Sequence, residues 1–507
     1  MRNQRSTGIL LSYVYLGLNM IIGLFMSSYV LRKLGNTEYG LYQTVGAFAN
    51  YLILLEFGMG TVLTRNLAVY KHEGKKEEIN QCVSTLWIIT IILSLLVLAI
   101  AGVFMANIGT IYSNTMTTDQ VRYGKKVFLV IVVNLIISFF MSTANGMLLG
   151  FENYTFANRQ KVIKLICRTI IAVIALNICP MALILTVVDS IISFCFFVWT
   201  IVVCRKKYGF RIKIKEFNTQ IVKDSLPLCL ALLLQTIINQ ANNQVDKTVL
   251  GIRMSLESVA IYSIAQYIYS VFSSITTVPI SMYMPEVAKN ITSGLKGRQL
   301  TDTLIPSCRL VVLLGGMIMF GFVAVGKQFI SIVYGEQYLS AWLYAIIIIV
   351  PMFINMTNGV LVNVLDVLKK RMIRSYILFG TTILNIFMTV YLIDEIGIIG
   401  AVIATAISVV IGQDIVMNIY YSKKIGIAIS HLFAEAYRGL IPVEIIACII
   451  STILAHFFRN DYISLFLGGA TFIAFCLIGF VFYGFNSKEK EQTKQIAQKI
   501  CVMLKLH

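Results

Sequence analysis

Apolar stretches of about 20 residues, the length a helix needs to cross a bilayer, recur along this chain from Ile9 to Phe485. Lipid offers no water to a backbone N–H or C=O, so a chain that enters it as long apolar runs must satisfy those groups within each run, as helix. Roughly fourteen such runs are read on the length criterion, centred near Met20, Tyr51, Leu95, Ile136, Ile171, Ser193, Leu234, Val271, Met319, Ile348, Leu384, Val409, Ile449 and Ile473. The expected fold class is therefore all-α, a polytopic integral membrane protein of about fourteen transmembrane helices. Composition agrees: 58% of the 507 residues are hydrophobic and 13% charged, with a mean hydropathy of +0.80, which no soluble chain of this length shows.

Charge placement orients the runs. With the N-terminus inside, 33 of the 42 Lys and Arg fall in inner segments and 9 in outer ones, as expected where cytoplasmic loops keep the positive charge. An even number of spans with both termini cytoplasmic follows. The net charge of +18 is spread over all the inner segments, so anionic inner-leaflet lipid accounts for it and nucleic acid is not an expected partner. Met1–Arg5 leads into the first run without a small-residue cleavage site, and that run is read as a retained helix. Ten Cys without a C-x-x-C pair and only four His point away from a disulfide framework or a metal site. No cofactor is expected.

The chain also repeats itself. Phe140-Met-Ser-Thr-Ala-Asn145-Gly146-Met-Leu148 returns as Phe353-Ile-Asn-Met-Thr-Asn358-Gly359-Val-Leu361, both F-x4-N-G-x-L. The copies fall on the fourth and tenth spans, each running toward the cytoplasm, and duplicated halves are a common plan for transporters. The expected organisation is an N-terminal six-helix lobe over 1–204, a basic cytoplasmic linker over 205–223, a second six-helix lobe over 224–424, spans 13 and 14 over 425–485, and a cytoplasmic tail over 486–507 that is charged and helical near the membrane surface. The Asn-Gly pair is read as a packing element that lets the lobes rock.

Three segments carry a family resemblance. Leu34-Gly35-Asn-Thr-Glu38-Tyr39-Gly40-Leu41-Tyr42 resembles the L-G-x-x-E-Y-G-x-Y signature of bacterial polysaccharide transporters; Phe57-Gly58-Met-Gly60 followed by Arg65 is similar to their F-G-[LM]-x5-R pattern; and Gly397-Ile-Ile-Gly400-Ala401-Val-Ile-Ala404-Thr405 resembles their entry into the twelfth span. The likeness covers nearly the whole chain. It implies an oligosaccharide flippase of the multidrug/oligosaccharidyl-lipid/polysaccharide exporter superfamily, a pair of six-helix bundles that moves an undecaprenyl-pyrophosphate-linked oligosaccharide from the inner to the outer leaflet. A polysaccharide polymerase complex is the implied protein partner, with H+ or Na+ as coupling ion.

Candidate binding residues follow from what a span does with polarity. Gln235, Asn239, Asn242 and Asp246 fall within an arc of about 60° on the seventh span, and amides there suit either sugar hydroxyls or helix-to-helix hydrogen bonds. Gln266 and Tyr269 share a face of the eighth span with Tyr262, where Tyr rings serve stacking on sugars or an interfacial belt; Tyr262 is assigned to the belt. Lys161, Lys164 and Arg168 line one face of the fifth span. Together with Arg65 and Arg374 they are candidates for pyrophosphate, or for snorkelling to headgroups, and Arg309 is a further inner-side cation. Among intramembrane carboxylates Asp189, Glu56 and Asp246 are the candidates for ion coupling, Asp414 and Glu444 being others, and a local ion pair is the competing use.

No covalent chemistry is expected. Gly321–Gln328 matches G-x4-G-K but has Gln where the magnesium-binding Ser or Thr belongs and follows no strand, and outer loops are too short for a catalytic domain. The expected function is thus lipid-linked oligosaccharide flipping by alternating access, against two alternatives: an ion-coupled multidrug or small-molecule antiporter of the same fold, and a membrane polymerase or ligase.

Overall fold

A computed structural model of the protein describes residues 2–209, 213–458, 460–487 and 489–491. The described residues are helical throughout apart from short connections. All fourteen expected span centres lie within helices. By length and apolarity ten helices qualify as spans, or eleven when a bent pair is taken as one. The difference from fourteen has physical causes. The first two runs form one helical stretch, Val14–His72; the fifth run carries Arg159, Lys161, Lys164 and Arg168; and the eighth interleaves its apolar residues with Ser, Tyr and Gln266.

Two compact units divide the chain, Met1–Ser263 and Ile264–His507. The first contains α1 (Arg2–Tyr51), α2 (Met59–His72), α3 (Lys76–Ile111), α4 (Thr118–Gly150), α5 (Tyr154–Ile178), α6 (Ala182–Tyr208) and α7 (Thr219–Arg253). It thus takes in the 1–204 lobe, the described part of the 205–223 segment and the seventh span. The boundary falls inside α8 (Leu256–Met282). The second unit continues with α9 (Met284–Thr292), α10 (Gly297–Val333), α11 (Ser340–Thr357), α12 (Gly359–Val367), α13 (Arg371–Ile396), α14 (Ile398–Val409), α15 (Met417–Tyr420), α16 (Ile429–Tyr437), α17 (Leu440–His456) and α18 (Asp461–Gly479). Arg211 of the basic segment and the tail beyond 491 lie outside the described residues.

Local sequence sets the helix ends. Thr117 opens α4 with a reciprocal cap: its hydroxyl accepts from the Gln120 N–H at 3.3 Å, and the Gln120 side chain accepts from the Thr117 N–H at 2.8 Å. Asn218 and Asn460 accept from the first-turn N–H groups of α7 and α18. Within α1, Gly35 takes φ +77° and ψ 171°, a break that only glycine makes without strain.

Candidate functional site

In unit 1 the signature after the first span is a knot of helix contacts. Beyond the Gly35 break, the Glu38 carboxylate accepts from the Tyr123 hydroxyl of α4 at 2.5 Å and from the Ala182 N–H that opens α6 at 2.6 Å, so a negative charge sits where the α6 dipole favours it. Tyr39 is buried and its hydroxyl accepts from the Gln43 amide at 2.9 Å. A Cβ at Gly40 would fall 1.9 Å from the Leu256 carbonyl, so the backbones touch there. Glu38, Tyr39 and Gly40 of the motif each have a structural use.

The second signature marks a broken span. A 3-10 turn over Leu52–Glu56 is followed by two left-handed residues, Phe57 (φ 51°) and Gly58 (φ 67°), before α2 begins. The break lets α2 press on α4 at a glycine pair: a Cβ at Gly60 would lie 2.5 Å from the Ser142 carbonyl, and one at Gly146 2.4 Å from the Gly60 carbonyl. Thr64 seals this crossing, donating to the carbonyls of Gly60 at 2.8 Å and Gly146 at 3.2 Å. Beside it lies a cavity of about 330 Å³ lined by Thr61, Thr64, Ser138, Ser142, Asn145 and Lys164 among others. Glu56, at the break, hydrogen-bonds Ser142 on that lining.

Of the cations expected on α5, the three part company. Lys161 is exposed. Lys164 faces the cavity. Arg168 is paired with Asp189 of α6 through two parallel bonds, Nε to Oδ1 at 2.6 Å and Nη2 to Oδ2 at 2.7 Å, the strong fork geometry of guanidinium and carboxylate. The structure thus brings an expected anion-binding residue and an expected coupling residue into contact with each other, and each satisfies the other's charge. Tyr42 and Lys164 lie within electrostatic reach of the pair. Arg65 is exposed on α2, and among the described residues neither it, Lys161 nor Lys164 forms an ion pair.

The polar stripe of α7 divides along its length. Gln235 donates to Asn239 at 3.2 Å, and Asn239 and Asn242 are exposed, whereas Asp246 is 2% exposed and accepts from the Tyr262 hydroxyl. Tyr262 is itself 1% exposed. It is therefore a buried partner of Asp246 and not an interfacial belt residue; the carboxylate, on a different helix, was invisible to a reading of the eighth span alone. Sequence reasoning also passed over Lys247, which reaches Gln43 of α1 at 3.5 Å. Its signal was present, a lysine inside an apolar run, but it lies off the Gln235–Asp246 arc.

In unit 2, Tyr269 donates to the Met352 sulfur at 3.4 Å, Gln266 is half-buried, and Arg374 is half-buried within electrostatic reach of Tyr421 and Asp366. Arg309 is 5% exposed and each nitrogen of its guanidinium donates: to the Glu489 carboxylate at 2.7 and 3.0 Å, and to the carbonyls of Glu435, Arg438 and Gly484 at 2.8, 2.9 and 2.8 Å. It ties helix ends together and has no donor left for a substrate. Glu444 of α17 is fully buried, with Oε2 packed where a Cβ on Gly316 would lie 2.0 Å away.

Comparison with solved structures places this geometry in a known fold. The chain is similar to the lipid II flippase MurJ in an inward closed conformation, with a TM-score of 0.71 and 17% identity over 93% of this chain and 99% of that one. It is also similar to an inward-facing multidrug resistance MATE family transporter of the MOP superfamily, with a TM-score of 0.61 and 14% identity over 84% and 98%. A third likeness is to the MATE multidrug transporter DinF-BH, with a TM-score of 0.55 and 16% identity over 84% and 95%. Comparison with curated protein sequences returns no match. Residues 6–291 match the family described as Polysaccharide biosynthesis protein. With more than half its length matched, the chain belongs to the polysaccharide biosynthesis protein family, and it is a multi-pass membrane protein with the flippase and transporter fold.

Proposed function

We propose that the protein flips a polyprenyl-pyrophosphate-linked oligosaccharide from the inner to the outer leaflet of the bacterial cytoplasmic membrane by alternating access, without covalent chemistry and with both termini cytoplasmic. The observation that carries this reading is the unit 1 cavity. Hydroxyls and an amide line it, and it holds Lys164, outside any ion pair among the described residues, beside the broken second span. Such a lining suits an anionic, oxygen-rich headgroup. Lys161 and Arg65 extend the cationic surface on the same half of the spans, while Arg168 supports the site from behind through its bond to Asp189. The exposed amides Asn239 and Asn242 are the surface we assign to the glycan, with Gln235 as a further contributor, and the family membership and the fold agree with this substrate class.

The experiment is leaflet assay of the lipid-linked oligosaccharide in cells lacking the protein and complemented by variants. Loss of the protein leaves the substrate on the cytoplasmic face. Lys164→Ala, at normal membrane level, slows flipping about tenfold, the worth of one charge-assisted hydrogen bond. Flipping at the wild-type rate in that variant would remove the cavity from the pathway. Glu56, bonded to Ser142 on the same lining, favours a second reading, an ion-coupled small-molecule antiporter. Transport that tolerates Lys164→Ala but fails with Glu56→Gln would select it.

A further inference from the structure

The F-x4-N-G-x-L copies part at their asparagines. In unit 2 Asn358 is 3% exposed, whereas in unit 1 Asn145 lines the cavity that holds Lys164. Ser138, Ser142 and Asn145 of α4 stand on that lining at i, i+4 and i+7, one face of the helix. The crossing with α2 fixes this face: Gly146 packs on the Gly60 backbone, and the Thr64 hydroxyl bonds the carbonyls of both. The Asn145 amide is thus held at a set place on the wall. Its Oδ1 is shut off from solvent and has no donor among the described residues, which leaves Nδ2 as the polar atom it presents to the cavity.

A count of donors and acceptors divides the wall. A hydroxyl has one hydrogen to give, and three of the wall hydroxyls have given it: Ser138 to the Leu135 carbonyl at 2.6 Å, Thr64 to the carbonyls of the crossing, and Ser142 to the Glu56 carboxylate. What they turn to a ligand is lone pairs, which receive hydroxyl hydrogens and disfavour the oxygens of an anion. Lys164 Nζ and Asn145 Nδ2 offer the reverse, N–H groups that anionic oxygens accept. By helix rise from the turn between α4 and α5, Asn145 stands about 8 Å in and Lys164 about 15 Å in, a step that the long lysine stem can cover.

We propose that Asn145 is a second pyrophosphate-binding residue of this cavity, working beside Lys164, and that the acceptor hydroxyls take the first sugar. This rests on the flippase reading above and narrows it: recognition is set at the junction of sugar and phosphate. A cavity of about 330 Å³ has room for one ring and its phosphates and not for a whole repeat unit, so the sugars beyond the first are left to the exposed amides of α7. The conserved chemistry of the junction is what Asn145 senses, and the Gly146 crossing next to it is what keeps the amide aimed.

The test is equilibrium binding to the purified full-length protein in detergent, with radiolabelled farnesyl pyrophosphate, farnesyl-pyrophosphoryl glucose and farnesyl glucoside as probes. The wild type is expected to bind farnesyl-pyrophosphoryl glucose tightest, and loss of either the sugar or the pyrophosphate weakens binding about tenfold or more. Asn145→Asp keeps the shape and sets a negative charge where the donor stood. Both pyrophosphate probes then bind about a hundredfold more weakly while farnesyl glucoside binds as before, a pattern that misfolding would not give. Asn145→Ser, which removes the donor without adding charge, weakens the pyrophosphate probes about tenfold. Pyrophosphate probes that bind Asn145→Asp as they bind the wild type overturn the proposal, and so does farnesyl glucoside weakened equally with them. Farnesyl-pyrophosphoryl glucose bound no tighter than farnesyl pyrophosphate removes the sugar from the site. Should Asn145→Asp fail to fold, Asn145→Ser decides by the same comparison. The leaflet assay separates the two readings: slow flipping in Lys164→Ala with wild-type flipping in Asn145→Asp sinks the role of Asn145 alone, whereas wild-type flipping in both removes the cavity.

Discussion

In unit 1 three carboxylates meet partners on other helices: Asp189 with Arg168, Glu38 with Tyr123 and the α6 N-terminus, Asp246 with Tyr262. In unit 2 the carboxylates of Asp414 and Glu444 have none among the described residues. Charge in the first case works as a fastener, because separating a bonded pair in a low dielectric leaves two uncompensated groups. In the second, no such bond ties helix to helix at those two carboxylates. The F-x4-N-G-x-L copies differ in the same sense. Gly146 presses backbone on backbone within a continuous α4, while Gly359 starts a new helix after Asn358 and has the Ile280 side chain as its nearest neighbour.

The sharpest break of this comparison is at the glycines. Gly146→Leu drives a side chain into the Gly60 carbonyl and is expected to cost more than about 4 kcal/mol, read as loss of monodisperse protein in detergent; Gly359→Ala, which only displaces the end of Ile280, costs about 1 kcal/mol. Next comes Asp189→Ala, expected to lower stability by about 2 kcal/mol, less than a fully buried pair because the guanidinium is partly exposed. Adding Arg168→Ala restores part of that loss, a double-mutant cycle on Tm that a non-interacting pair would not show. Glu38→Gln, which weakens charge-assisted bonds to Tyr123 and Ala182, costs about 1 kcal/mol. Smallest is Glu444→Gln, a near-isosteric change at a carboxyl with no hydrogen-bond partner among the described residues, expected to stay within about 0.5 kcal/mol. A large loss there would show that Glu444 too works as a fastener, as Glu489 does for Arg309.

Bilayer thickness made the fold legible: every expected span centre lies in a helix, because hydrophobic length is a property of consecutive residues. The contacts were less so. Helical spacing showed that Lys161, Lys164 and Arg168 share a face, but not that Asp189, on the next helix, claims Arg168 and leaves Lys164 to the cavity. Tyr262 fits an interfacial pattern until Asp246 is placed beside it. Gly146 packs on Gly60, while its neighbour Asn145 lines the cavity. What single-sequence reasoning lacked in each case was the partner across helices, since pairs far apart in the chain are set by packing and leave no local period.

The Arg309 clamp bears on how short this chain can be made. Its acceptors come from the end of α16, from Gly484 at the foot of the last span and from Glu489 beyond it. A version ending before α16 would strand a guanidinium inside α10 with its fork of donors and none of these groups to receive them. The last two spans are thus mortgaged to α10: truncation would have to replace Arg309 with an apolar residue in the same step, and the arginine is the position from which a trimmed version would first fail.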